Sequence, residues 1–222
     1  MDKREFKDRV YERVALVAKA LASPKRVELV ELLAQTDRTV EWLAEATGMS
    51  LANTSQHLQV LRGARLVESR KDGLYVHYRL ASPAVGALHA AVRDVAAERD
   101  AEVDRLVRLF FGDRSGLDAV DMRELLERAA RGEVVVIDVR PPEEFTAAHV
   151  AGARSVPLAD LEAFTASLSR DRAVVAYCRG PYCVLADEAV KRLREAGFDA
   201  RRLDGGLPEW RAAGLPVASH AA

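Results

Sequence analysis

Cys178 and Cys183 stand five residues apart and are the chain's two cysteines. They open and close the run Cys178-Arg179-Gly180-Pro181-Tyr182-Cys183, which follows an apolar stretch and precedes a helical one. A loop between a strand and a helix can aim backbone N–H groups at one point and, backed by the helix N-terminus, stabilise an anion there. Such surroundings lower a cysteine from about 8.5 into a range of roughly 3.5–7.5. Cys178 is therefore expected to be a thiolate at neutral pH, able to attack sulfane sulfur and hold a persulfide. A close pair in a reducing compartment is more often catalytic, redox-active or metal-binding than a structural staple. Cys183 is read either as the thiol that resolves a persulfide or sulfenate on Cys178, or as a small buried residue.

The elements that hold this loop begin at Leu117, where helices and buried strands start to alternate. A helix starts near Asp121, with Glu124 in the capping-box position. Val134-Val135-Val136-Ile137 is a continuous apolar run, as a central parallel strand requires. A helix around Leu158–Leu168 precedes the strand Ala173–Tyr177. A helix over Cys183–Ala196 then ends at Gly197, and a short strand follows near Arg201–Leu203. The pattern predicts an α/β layered domain with a parallel sheet over residues 117–218.

The first half carries a different chemistry. Phe6, Val10, Val14, Val17 and Leu21 recur at helical spacing, and Ser23-Pro24 opens a second helix. A third follows Thr39 and stops at Gly48; Ser50 caps a fourth, from Leu51 to about Arg62. On that fourth helix Thr54, Leu58 and Leu61 share one face, while Ala52, Ser55, Gln56 and Gln59 point away. Short polar side chains let a helix approach base edges in the major groove of double-stranded DNA. Ser50, Leu51, Ala52, Asn53, Ser55, Gln56 and Gln59 are thus the candidate base-reading set. Lys71-Asp72-Gly73 reads as a turn between two β-prone runs, placing Arg70 and Lys71 at a hairpin tip within reach of phosphates. From Gly48 to Arg79 five basic residues face two acidic ones, although the whole chain is near neutral. Ser82-Pro83 opens a helical pattern reaching Phe111, about 45 Å if unbroken. A helix that long needs a partner helix from a second copy. Gly112 to Gly116 reads as the break, giving a domain over 1–112 and a linker over 113–116.

Two resemblances follow from these residues. SPKRVELVELLAQ and LAEATGMSLANTSQHLQVLRGARLVESRKDGLYVHYRL resemble the winged helix-turn-helix of ArsR/SmtB-type repressors. VVVIDVRPPEEFTAAHVAGARSVPL, the cysteine loop and LDGGLPEWRAAGLPV resemble rhodanese domains. The first implies a homodimer on operator DNA, with His57 a packed structural residue. The second implies Cys178 as sulfur acceptor within the loop Arg179, Gly180, Pro181, Tyr182. Asp138 and Arg140 support the site or simply form a salt bridge. The usual rhodanese loop has Gly at its fourth place and Arg, Ser or Thr at its sixth; here Pro181 and Cys183 stand there. Proline has no N–H to offer, which puts efficient thiosulfate turnover in doubt.

Many ArsR-type repressors sense metals through cysteine pairs or Asp/His/Glu sets in the winged-helix domain. Here Thr39 to Ala44 holds no thiol and His89 stands alone on its helix, whereas zinc wants about four ligands. No metal and no cofactor is expected. Any chemical sensing therefore falls to the C-terminal half, with sulfane sulfur or a persulfide donor as effector. Two other functions stay open: a sulfurtransferase with an attached DNA-binding domain, and an arsenic- or metal-responsive repressor using the cysteine pair. No apolar run approaches the roughly 18 residues of a membrane span, and MDKREFKDRVYERV lacks a signal-like apolar stretch, so a cytoplasmic protein is expected.

Overall fold

The computed structural model describes residues 1–111 and 119–219, so the expected linker at 113–116 lies outside the described residues. The chain divides into two compact units, Met1–Arg93 and Asp94–Ala222, each described by itself.

In the first unit α1 (Lys3–Leu21) starts at Asp2, whose carboxylate accepts the N–H groups of Arg4 and Glu5 at 2.8 Å. α2 (Pro24–Leu33) has Pro24 in its first turn, where a missing N–H costs nothing; Ser23 stands at the cap position without using its side chain. α3 (Val40–Thr47) is capped by Thr39, which accepts Trp42 N–H at 3.2 Å, and ends on Gly48 at φ +64°. α4 (Leu51–Gly63) is capped by Ser50, which accepts Asn53 N–H at 3.3 Å. Leu29, Val30, Leu43, Leu58 and Leu61 are wholly buried between these helices. β1 (Arg38–Thr39), β2 (Val67–Asp72) and β3 (Tyr75–Leu80) form an antiparallel sheet in the order β1-β3-β2.

The hairpin turn differs from its expectation. Asp72 pairs with Tyr75, so Lys71 and Asp72 lie within β2 and the turn is Gly73-Leu74. Gly73, at φ +58°, takes the first of two turn positions, where a type II′ hairpin requires glycine. The long helix differs too. It is broken at Asp100 into α5 (Pro83–Arg99) and α6 (Ala101–Phe111). The Asp100 side chain accepts Glu102 N–H at 3.0 Å, a local bond that competes with continuing the helix.

The second unit is built on five parallel strands in the order β4-β9-β8-β5-β7. In chain order it runs β4 (Ala119–Val120), α7 (Met122–Ala130), β5 (Val134–Asp138) and α8 (Pro142–Ala147). Next come β6 (His149–Val150), β7 (Arg154–Ser155) and α9 (Leu161–Ser167). β8 (Ala173–Cys178) leads through the cysteine loop to α10 (Val184–Glu195), β9 (Ala200–Gly206), α11 (Leu207–Ala212) and β10 (Val217–Ala218). β10 pairs with β6 apart from the main sheet. Asp121 caps α7 as its spacing predicts.

Successive residues of β8 face opposite sides, because a strand alternates its side chains. Val174, Ala176 and Cys178 enter the core under α10 with Ala189, Val190 and Leu193. Val175 and Tyr177 enter the other core with Leu203 and Trp210. No described helix is long and apolar enough to cross a membrane.

Candidate functional site

Strand alternation gives the C-terminal unit two adjoining constellations. On the Tyr177 side, the Asp138 carboxylate at the end of β5 accepts Arg140 Nε at 2.9 Å and Arg140 Nη2 at 2.6 Å. Tyr177 Oη donates to the same carboxylate at 2.6 Å and accepts Val150 N–H at 3.0 Å. Arg140 Nη2 also donates to the Ala148 carbonyl at 2.7 Å. Burial, then the Asp138 charge, push the Tyr177 phenol far above its ordinary value, so it remains a donor. Asp138, Arg140 and Glu144 are all fully buried. Glu144, on α8, receives Arg179 from the cysteine loop through Nη2 at 2.7 Å and Nε at 3.1 Å. One buried carboxylate thus ties the loop to α8.

On the other side Cys178 ends β8 at 1% exposure, whereas Cys183 sits half-buried at the cap position of α10. Cys183 N–H donates to the Gly180 carbonyl at 3.2 Å and closes the loop into a tight turn. Gly180 is buried, and Arg179, Pro181 and Tyr182 are partly so. The Cys178 sulfur faces the carbonyl oxygens of Cys183 at 3.5 Å and Gly180 at 3.9 Å. Gly206, at the end of β9, lies against this loop. A Cβ there would come within 2.4 Å of the Cys178 carbonyl oxygen and 2.6 Å of the Gly180 nitrogen.

The electrostatics reverse the expectation that Cys178 is the thiolate. Burial, then the hydrogen bond and charge of Cys183, push the Cys178 thiol well above its ordinary value. The neighbouring Cys178 thiol lowers Cys183 to about 7, aided by the N–H groups of Arg179 and Leu185 and by the Arg179 charge. Desolvation outweighs the cradle for the deeper sulfur, and the charge settles on the shallower one. Iodoacetamide alkylation of Cys183 should accordingly accelerate as pH rises through about 7, because the thiolate is the reactive form. Cys178→Ala should move that inflection upward, and Cys178→Ser, which keeps a donor, should move it less. An inflection unmoved by Cys178→Ala would assign the shift to the α10 terminus instead.

In the first unit α4 exposes Ala52, Gln56 and Gln59, with Ser55 half-exposed. These positions fall on one face at helical spacing. Leu51 and Asn53 are exposed beside them, while Ser50 is occupied as the cap. Lys71 projects from β2, and Arg70 is exposed but ion-paired with Asp72 at 3.0 Å. Arg79 is likewise paired with Glu68 at 2.7 Å. His57 is half-buried on α4, and His89 is buried on α5. No group of three or more metal-ligating side chains occurs among the described residues.

Residues 23–69 match the family described as bacterial regulatory protein, arsR family, and residues 121–213 match the rhodanese-like domain. HTH-type transcriptional regulator Rv0324 of Mycobacterium tuberculosis is 47% identical over 206 residues, spanning 93% of this chain and 90% of the relative. This chain belongs to the ArsR family of transcriptional regulators. The regulator carries a rhodanese-like domain behind its winged helix-turn-helix. A shorter relative from M. tuberculosis, the HTH-type transcriptional regulator Rv0081, is 40% identical over 89 residues, covering 40% of the regulator and 78% of the relative. A solved homodimeric winged helix-turn-helix domain, Mb0332 of Mycobacterium bovis, shares 42% identity over 45% of the regulator and 91% of that structure, with a TM-score of 0.42.

Three residues that shape the regulator's cysteine loop escape a reading of the loop itself. Glu144 and Gly206 both lie inside the motif runs EEF and DGGLPEW, yet their partners are in other parts of the sequence. Tyr177 adjoins Cys178 in sequence but serves the opposite face of the sheet.

Proposed function

We propose that this regulator is a repressor that binds double-stranded operator DNA as a homodimer and lowers its operator affinity when sulfane sulfur modifies the pair Cys178/Cys183. DNA binding and dimerisation run over residues 1–112, and sulfur handling over 117–218. The observation that carries the sensor reading is the placement of the pair on one tight turn, with the Cys178 sulfur buried 3.5 Å from the Cys183 carbonyl oxygen and Cys183 half-buried at the start of α10. Cys183 is driven toward the thiolate and Cys178 toward the neutral form. A pair so polarised reacts with electrophilic sulfur at neutral pH and can close on itself. Gln56, Ser55 and their neighbours on α4 would read bases, and Lys71 and Arg70 would contact phosphates. Dimerisation is supported by apolar side chains left open on three helices. Phe6, Val10 and Val14 of α1, Val92 and Val95 of α5, and Leu106 and Phe110 of α6 are all exposed. A second copy packed on these helices would remove the side chains from water.

The test is operator affinity before and after glutathione persulfide treatment, in the native chain and in Cys178→Ser and Cys183→Ser. A loss of about a hundredfold in the native chain, roughly 2.7 kcal/mol of coupling, is expected, with both variants resistant. The native chain should sediment as a dimer at micromolar concentration and protect a palindromic site. Unchanged affinity with both cysteines modified would overturn the sensor reading, and catalytic sulfite release from thiosulfate in that case would favour a sulfurtransferase. A monomer that binds operator at full strength would overturn the dimer.

A further inference from the structure

We infer that sulfur enters this protein at Cys183 and is resolved by the buried Cys178, the reverse of the order that the rhodanese resemblance implies. The inference rests on the sulfur-sensing function proposed above and assigns the two sulfurs their separate tasks. Access separates them first. Cys178 is packed among Ile137, Val174, Ala176 and Ala186, and Gly206 closes its backbone from the β9 side. Cys183 is half-buried at the cap position of α10, where the turn ends. Polarity separates them next. The Cys178 sulfur looks at two carbonyl oxygens, an environment that accepts a thiol proton and repels a thiolate. The N–H groups of Gly180 and Ala186 oppose this without reversing it. Around Cys183 the pattern is opposite: the N–H groups of Arg179 and Leu185 face the sulfur without forming a cap bond, and the Arg179 guanidinium adds a positive charge. Glu144 holds that guanidinium in place through two contacts, so its position does not depend on a bound anion.

The chemistry then runs in a defined order. The Cys183 thiolate attacks the outer sulfur of a persulfide donor, breaking the donor's S–S bond. The donor leaves as a thiol with the persulfide's proton, and Cys183 carries a persulfide anion. The Cys178 sulfur next attacks the Cys183 sulfur. The Cys178–Cys183 disulfide forms and the outer sulfur departs as hydrosulfide with the Cys178 proton. Each cysteine sulfur loses one electron, and the two sulfurs of the donor, now a thiol and hydrosulfide, gain one each. The turn closed by Cys183 N–H on the Gly180 carbonyl holds the Cys178 sulfur 3.5 Å from the Cys183 carbonyl oxygen, so the resolving sulfur stands beside the target residue before the donor arrives.

The experiment exposes the full-length chain to glutathione persulfide at pH 7 and maps added sulfur by peptide mass. Cys178→Ser should stop with one extra sulfur on Cys183. Cys183→Ser should take up sulfur on Cys178 at least about tenfold more slowly than the native chain, as expected for a thiol that is both buried and protonated. The native chain should release one hydrosulfide per disulfide formed. In untreated native chain, brief iodoacetamide exposure should label Cys183 before Cys178, which tests the order without any substitution. Fast sulfur uptake on Cys178 in Cys183→Ser, with none on Cys183 in Cys178→Ser, would overturn this order and leave the sensor function standing. No added sulfur on the remaining cysteine of either variant, with neither disulfide nor hydrosulfide formed by the native chain, would overturn both.

Discussion

Replacing Asp138 with Ala should destabilise the C-terminal unit by about 3–5 kcal/mol, the range found when one half of a buried ion pair is removed. The carboxylate collects Arg140 Nε, Arg140 Nη2, the Arg140 backbone N–H at 3.0 Å and the Tyr177 hydroxyl. Its loss leaves a fully buried guanidinium with the Ala148 carbonyl and the Glu144 carboxylate, the latter 3.8 Å away. It also strips the Tyr177 hydroxyl of its acceptor. For a unit of this size, thermal unfolding should register a fall of more than about 10 °C. A double replacement, Asp138→Leu with Arg140→Met, removes both charges and should cost far less than Asp138→Ala alone. A cost below about 1 kcal/mol for the single change would mean that the Arg140 guanidinium is not left uncompensated when Asp138 is removed.

The second large effect is expected at Gly206. Alanine there would place Cβ 2.4 Å from the Cys178 oxygen, 2.6 Å from the Gly180 nitrogen and 2.7 Å from the Arg179 carbonyl carbon. All three are backbone atoms, so no side chain can swing aside; the loop or β9 has to move. Overpacking of this kind costs about 1–3 kcal/mol and sometimes more. The functional loss should exceed the structural one, because the displaced atoms are those that orient the cysteine pair. Gly206→Ala is expected to reduce Cys183 alkylation at pH 7 by about tenfold and to raise its inflection toward a free thiol, near 8.5. Native alkylation kinetics in this variant would mean that β9 does not constrain the loop.

The central strands were legible because their signal is local. Val134 to Ile137 and Ala173 to Tyr177 are unbroken apolar runs, and both are buried strands. The α4 face was legible for the same reason: Thr54, Leu58 and Leu61 share a helical period and are buried together. What escaped depends on contacts between distant residues. Glu144 meets Arg179 across 35 positions, and Gly206 meets Cys178 through a register shift between β8 and β9. The ionisation order of the cysteines escaped because loop chemistry alone treats both thiols as lying at a helix terminus. Burial separates them, and burial comes from α10 and β9. The broken helix shows the limit of periodicity: apolar spacing continues past Asp100, but one side-chain bond to Glu102 N–H restarts the helix there.

Side-chain alternation along β8 has an evolutionary corollary. Both sides of the strand pack apolar side chains, so swaps of similar volume within Ala173 to Ala176 are tolerated. Loss or gain of one residue in that stretch would keep the run apolar and still let it pair as a strand. It would nevertheless flip parity, sending Tyr177 under α10 and the thiol toward the Asp138 carboxylate. Descendants of this fold should therefore exchange apolar residues of similar size in β8 while its length stays frozen, even in lineages whose cysteines have been lost but whose Asp138–Tyr177 bond survives.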